Sequence, residues 1–184
     1  EDEGNEDAIG GGDARARGEI LHALLDAFAA TPEPDWPRIA KAIAPQGADA
    51  EIVSEATAVV RAPDLGHIFG PTSLGEVDIC APLTELGGAH LSGRIDRLVV
   101  EPDRVLAVDF KSNRHVPRRP EDTPEGILRQ LGGYRAALVQ IWPDRNVELA
   151  VLWTRTAQLM PIPHDLAAAA LARGAALDQD PIAS

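Results

Sequence analysis

The chain holds a single cysteine, only two lysines and no long apolar run, and each shortage excludes something. One cysteine rules out an internal disulfide and any iron-sulfur cluster held by four cysteines of this chain. Cys80 itself reads most simply as a buried strand residue. No apolar run approaches the roughly 18 to 20 residues that span a bilayer, and no secretory leader opens the chain, so no membrane partner and a soluble, cytoplasmic protein are expected. Of the 17 basic residues only Lys41 and Lys111 are lysine, the rest being arginine. A compact ammonium can exchange a proton where a guanidinium cannot, so the rare lysines draw attention to their surroundings.

Positive charge is also scarce where the chain begins. Residues 1–93 hold 17 acidic and 5 basic side chains and so account for all of the net charge of -12. Residues 94–145 reverse the balance, with 8 acidic and 10 basic. That local surplus is compatible with phosphate contact but offers little non-specific grip on a polyanion. With 184 residues, 45% of them hydrophobic and 25% charged, the chain has the composition of one globular domain with a substantial core.

The stretch Ser92 to Asn113 organises the rest. It reads as two strands joined at Glu101-Pro102-Asp103-Arg104, a proline-led turn of type I character. Closing that turn gives opposed residues numbers that sum to 205, so Val100 faces Val105, Leu98 faces Ala107 and Asp96 faces Asp109. Alternation then puts Lys111 on the face of Asp109, with Leu106, Val108 and Phe110 on the other. Two carboxylates opposed in a ladder repel, and a hard divalent cation compensates them most simply. A lysine beside such an ion can orient a water and steady charge on a phosphate under attack. A solvated hairpin is the plain alternative.

Before this stretch, residues 1–13 are acidic, glycine-rich and without large apolar side chains, and read as a disordered tail or interdomain linker of a piece cut from a longer protein. A helix is expected over 14–30, with Ile20, Leu21, Leu24, Leu25 and Phe28 on one stripe and His22 at its border, where an imidazole is ordinarily a bystander. Helical segments over 37–44 and 48–62 follow, then a strand over 75–81 with Glu76, Asp78 and Cys80 on one face. Glu76 stands either toward the cleft of Asp96 or as a wet edge residue. Residues 85–88 turn the chain.

Beyond Lys111 comes a basic, proline-rich loop over 114–120 that leaves the end of the proposed catalytic strand. Thr123-Pro124 predicts a capped start to a helix that runs to about Ile141 and places Gln130 and Tyr134 on one face. These two side chains either bracket a phosphate or simply pack on the sheet. Two more strands, 147–153 and 159–162, and a closing helix, 165–177, complete the order.

Gly-Glu-Ile-Leu-His at 18–22, Gly-Arg-Ile-Asp-Arg-Leu at 93–98, Val-Asp-Phe-Lys-Ser at 108–112 and Gln130 with Tyr134 together resemble the RecB-type nuclease branch of the PD-(D/E)XK superfamily. Within it the chain is most similar to the C-terminal nuclease domain of AddA-type helicase-nuclease subunits, over about residues 14–163. The resemblance implies a restriction-endonuclease-like α/β fold, a central mixed β-sheet with helices on both sides, formed by residues 14–184. It implies a Mg²⁺-dependent (or Mn²⁺-dependent) deoxyribonuclease with His22, Asp96, Asp109 and the Phe110 carbonyl as metal ligands. Asp96, Asp109, Lys111, Gln130 and Tyr134 correspond to catalytic positions. The implied partners are DNA, as a single strand fed from a helicase motor, and an AddB-like subunit in the bacterial cytoplasm. The motor itself is not here, because the chain has no Gly-x-x-x-x-Gly-Lys-[Ser/Thr] loop to hold ATP. Two other readings compete: a non-catalytic docking or DNA-binding module, and a free-standing RecB-like single-strand exonuclease.

Overall fold

The structure, a computed structural model, describes residues 7–44, 49–83 and 88–179. Two compact units divide it: Glu1–Gly70 with Thr154–Ala157, and Pro71–Trp153 with Gln158–Ser184.

The first unit is helical. It contains α1 (Asp7–Ala30), α2 (Trp36–Ile43) and α3 (Ala50–Arg61). Four members of the expected stripe, Leu21, Leu24, Leu25 and Phe28, are buried, as are Ile52, Ala56 and Val59 of α3, against which α1 packs. Full burial of such a side chain contributes about 1.5–3 kcal/mol, so this stripe rather than helix propensity fixes α1. The α1 end is tied off by Trp36, whose indole Nε1 donates to the Phe28 and Thr31 carbonyls at 3.2 and 3.1 Å while its ring stacks on Phe28 with centroids 4.6 Å apart. At the other end α1 begins at Asp7, so residues 7–13 are helical where a disordered linker was expected. Glycine costs a helix only about 1 kcal/mol, and adding residues to a helix already nucleated by packing is cheap. Residues 1–6 of the expected leader lie outside the described residues. In α3 the Asp49 side chain caps the start by accepting the Glu51 N–H. The buried Glu55 carboxylate accepts from Arg17 at 2.5 Å and from the Thr154 hydroxyl, which gives a buried charge the partners it requires.

The second unit is a mixed five-stranded sheet in the order β1 (Ser73–Leu83), β2 (Ala89–Val100), β3 (Arg104–Lys111), β4 (Asn146–Trp153) and β5 (Gln158–Ile162). Neighbours are antiparallel except β3 and β4, which run parallel and are connected through helix α4 (Glu125–Ile141). A parallel pair needs such a long connection, and the apolar side of α4 supplies the cover. Ile127, Leu128, Leu131, Tyr134 and Leu138 join Val105, Ala107, Leu149, Val151 and Trp153 in one core. Helix α5 (His164–Gln179) lies on α4 at close range, since a Cβ on Gly132 would stand 2.4 Å from the Ala167 carbonyl oxygen. On the sheet's opposite face Leu106, Val108 and Phe110 are also buried. The central strands thus read as near-continuous apolar runs because both faces are covered.

Three local expectations are corrected. Cys80 is exposed rather than buried, because β1 is an edge strand and its face bearing Glu76, Asp78 and Cys80 is open. Thr123 does not cap α4. Its hydroxyl is buried against Met160 Sδ at 3.8 Å, and Pro124 occupies the cap position with its carbonyl accepting from Ile127 and Leu128. The elements other than α1 also run one or two residues longer or shorter than the pattern suggests, a common uncertainty at element ends. The turn expected at 85–88 lies outside the described residues except for Gly88, whose φ of 84° is the left-handed conformation that glycine tolerates. Among the described residues no helix is long and apolar enough to cross a membrane.

Candidate active site

The hairpin closes as its turn dictates. Glu101 N–H donates to the Arg104 carbonyl at 2.8 Å, and Val100 pairs with Val105, Leu98 with Ala107 and Arg97 with Val108. The paired residues end there. One step further the Asp96 carboxylate, through Oδ2, accepts the Phe110 backbone N–H at 2.6 Å. A charged acceptor strengthens such a bond, so a side chain takes over where the ladder stops. Asp96 thereby meets the main chain immediately after Asp109.

Asp109 is 1% exposed, and its Oδ2 lies 2.6 Å from Lys111 Nζ. Period-two alternation on β3 makes the pair neighbours, as the sequence predicts. A carboxylate this deep needs its cation, and the ammonium, itself only a quarter exposed, is held in one place by it.

Across β2 from β3, strand β1 adds a third acid. The pairs Gly75 with Arg97 and Val77 with Ile95 bracket Glu76 and Asp96 on adjacent strands. Oxygen atoms of these two carboxylates lie within 4.8 Å of one another. The backbone is distorted here. Ile95 and Leu98, three apart, both enter the core under α4, although strict alternation would send them to opposite faces. Glu76 has a φ of 53°, a left-handed conformation that costs a non-glycine residue about 1–2 kcal/mol. Such strain concentrates at functional sites, where surrounding structure holds it. Arg94 is part of that hold, donating to Glu76 Oε2 at 2.9 Å and to Asp78 Oδ1 at 2.7 Å. Sequence reasoning missed Arg94. The signal was present in the period-two spacing of Glu76 and Asp78 and in a basic residue two places before Asp96.

Gln130 and Tyr134 are brought to the same strand. Gln130 Nε2 donates to the Tyr134 hydroxyl at 2.7 Å, and that hydroxyl donates to the Arg94 carbonyl at 2.6 Å. Gly93 gives this contact its room, since a Cβ there would stand 3.1 Å from Tyr134 Cε1 and press the ring outward by a few tenths of an ångström. Burial, more than the nearby Asp109 and Asp96 charges, raises the Tyr134 pKa, while the hydrogen bond donated by Gln130 opposes the rise. The phenol stays a donor, so α4 grips β2 two residues from Asp96.

The second unit therefore brings together Glu76, Asp96, Asp109, Lys111, Gln130, Tyr134 and the Phe110 main chain. His22 lies in the first unit, half-buried on α1 beside the Leu21 and Leu24 stripe. The oxygen donors fit a hard divalent cation: two carboxylates converge within 4.8 Å and repel each other unless a cation joins them. Each acid also has a partner in the protein: Glu76 is held by Arg94, Asp96 by the Phe110 amide and Asp109 by Lys111.

No curated protein matches the chain. A solved structure titled "Crystal structure of SSO0001" aligns over 87% of this chain and 75% of that one, with 16% identity and a TM-score of 0.37. The model of the family described as the PD-(D/E)XK nuclease superfamily matches residues 5–179. A mixed sheet with a strand ending in Asp-Phe-Lys, an acid on the neighbouring strand and a match over nearly the whole chain place this protein in one group: it belongs to the PD-(D/E)XK nuclease superfamily.

Proposed function

We propose that this chain is a metal-dependent deoxyribonuclease domain of the RecB type, working as the nuclease of an AddA-like helicase-nuclease that resects DNA ends during double-strand-break repair by recombination. The observation that carries the reading is the Asp109–Lys111 pair at the end of β3, set one strand from Asp96 and two from Glu76. Asp96 and Asp109 would hold the ion with the Phe110 carbonyl, and Glu76 is placed to share it. His22 enters the ligand set on the order of motifs. Mg²⁺ or Mn²⁺ in such a site supplies Lewis acidity toward a phosphate oxygen and lowers the pKa of water.

The chain's own residues supply the rest. Lys111, oriented by Asp109, donates toward the attacking water and the phosphate oxygens, where negative charge grows as the water oxygen bonds to phosphorus. The attacking water gives up a proton to solvent, the bond to the 3′-oxygen breaks and that oxygen takes up a proton from solvent, so that a 5′-phosphate and a 3′-hydroxyl are released. Tyr134 and Gln130 hold the β2 backbone so that Asp96 keeps its place against Phe110. In the cell, a single strand fed by a motor, an AddB-like partner and a bacterial cytoplasmic setting complete the proposal.

The test is cleavage of a labelled single-stranded oligonucleotide with and without Mg²⁺. Asp109→Asn or Lys111→Ala should lower the rate about a hundredfold or more, in line with removal of one preorganised group. Asp109→Asn is preferred to alanine because it keeps the buried volume, whereas losing Lys111 removes the cation from a buried carboxylate and can cost about 3–5 kcal/mol. Wild-type rates in Asp109→Asn would refute the assignment. Calorimetry with Mg²⁺ separates it from a docking module, which needs no divalent ion, and rapid degradation without a motor would favour a free-standing exonuclease.

A further inference from the structure

We infer that Arg114 and Arg118 form the phosphate-contacting edge over which the substrate strand reaches Lys111, a binding role that rests on the nuclease reading above. The starting point is how this acidic chain disposes of its arginines. Arg15 pairs with Glu19, Arg17 with Glu55, Arg38 with Asp35, Arg61 with Glu33 and Arg94 with Glu76 and Asp78. Arg104, Arg119, Arg155 and Arg173 likewise each have a carboxylate. In a chain with 29 acids and 17 bases such pairing is the expected default. Among the described residues Arg135 and Arg145, both half-buried, have no carboxylate within salt-bridge distance either, and at the surface Arg114 and Arg118 depart from the default. Both are exposed, and among the described residues neither has a carboxylate within salt-bridge distance.

Their position gives the departure its meaning. They lie three and seven residues beyond Lys111, on the segment that leaves β3. That segment is irregular but anchored: Pro117 is buried, Val116 packs on the core under α4, and Arg119 is locked by two bonds to Asp122. Side chains displayed from an anchored backbone lose less entropy when they bind than those on a free loop. A guanidinium with no internal carboxylate keeps its full charge for an outside one, and its planar fork suits phosphate oxygens. The sheet end that carries Asp109 and Lys111 thus has its uncommitted positive charge on the segment that follows it. Arg129, the other exposed arginine of this unit without a carboxylate partner, has its side chain against Gly174 of α5 instead.

The experiment measures binding of a fluorescent single-stranded oligo-dT to the full chain in Ca²⁺, by anisotropy, across a range of salt. Each phosphate contact on a single strand contributes about 0.7 to the slope of log K against log salt. Arg114→Ala/Arg118→Ala should therefore lower that slope by about 1.4, while Arg114→Lys/Arg118→Lys restores it. With Mg²⁺ and the same strand, the alanine variant should raise KM and leave kcat within about twofold. An unchanged slope in the alanine variant overturns the inference, as does wild-type protein that does not bind the strand. The nuclease reading fails separately: protein that binds with the expected slope change but never cleaves retains this surface and loses the catalytic assignment. Both arginines are exposed, and thermal melts that match wild type keep a loss of slope from being a loss of fold.

Discussion

Tyr134 shows how a single side chain ties chemistry to stability. Its hydroxyl both accepts from Gln130 and donates to the Arg94 carbonyl, and burial raises its pKa above the ordinary value of 10.0. A group whose pKa rises on folding adds stability that is complete below its unfolded pKa and disappears as pH climbs through the folded one. Wild-type protein should therefore lose stability above pH 10.0 in part through this residue. Tyr134→Phe should remove that component and, by deleting both hydrogen bonds of the hydroxyl, cost about 1–3 kcal/mol at neutral pH. Chemical denaturation at pH 7 and at pH 10.5 tests both. The residue was legible in the sequence only as a partner of Gln130 four places away. That its hydroxyl would fasten on the carbonyl of Arg94 was not legible, because nothing in a helical spacing says which strand the helix will cover. Glu76 was undecided for a similar reason: alternation assigns a face, but a φ of 53° and the skip between Ile95 and Leu98 place this carboxylate near Asp96 through a distortion that no period reports.

Among the elements, α4 makes the most demands on its sequence. It must approach α5 closely, and Gly132 permits that, with the Ala167 carbonyl oxygen 2.4 Å from where a Cβ would sit. Backbone cannot yield as a flexible side chain can, so Gly132→Ala should cost about 1–3 kcal/mol, the range for overpacking. Gly126, in the first turn of the same helix, has nothing within 4 Å of its missing Cβ. Gly126→Ala should stabilise by about 0.5–1 kcal/mol through helix propensity alone. Thermal or urea unfolding of the two variants side by side would show opposite signs if the contact governs. The hairpin of β2 and β3 was the element most legible in advance. A four-residue turn with proline in second place fixes the count of paired residues, and the pairs Val100 with Val105 and Leu98 with Ala107 follow from it. The start of α1 was illegible because glycine-rich acidic sequence looks the same whether or not a packed helix extends into it.

At the scale of the whole molecule, fold class was readable because strands and helices alternate in the second half, while the division into two units was not. Residues 154–157 belong with a unit built from the first 70, and no local pattern reveals such an allegiance. Charge acts at this scale as well. Arg119 and Arg173 hold the carboxyls of Asp122 and Glu125 below their usual range. A carboxyl depressed in this way adds stability that is present above its unfolded pKa and lost as pH falls through the folded value. Melting temperature should therefore drop as pH is lowered from 4.5, less steeply in high salt because both pairs are exposed. Finally, the bond from the Phe110 amide to Asp96 makes one proton a natural gauge of the proposed metal site. A cation that draws electron density from the Asp96 carboxylate weakens its grip on that amide. In a two-dimensional nitrogen–hydrogen NMR spectrum the Phe110 peak should move upfield as Mg²⁺ is added, before any nucleic acid is present. A stationary Phe110 peak alongside saturable Mg²⁺ binding would mean that the ion sits somewhere other than on Asp96.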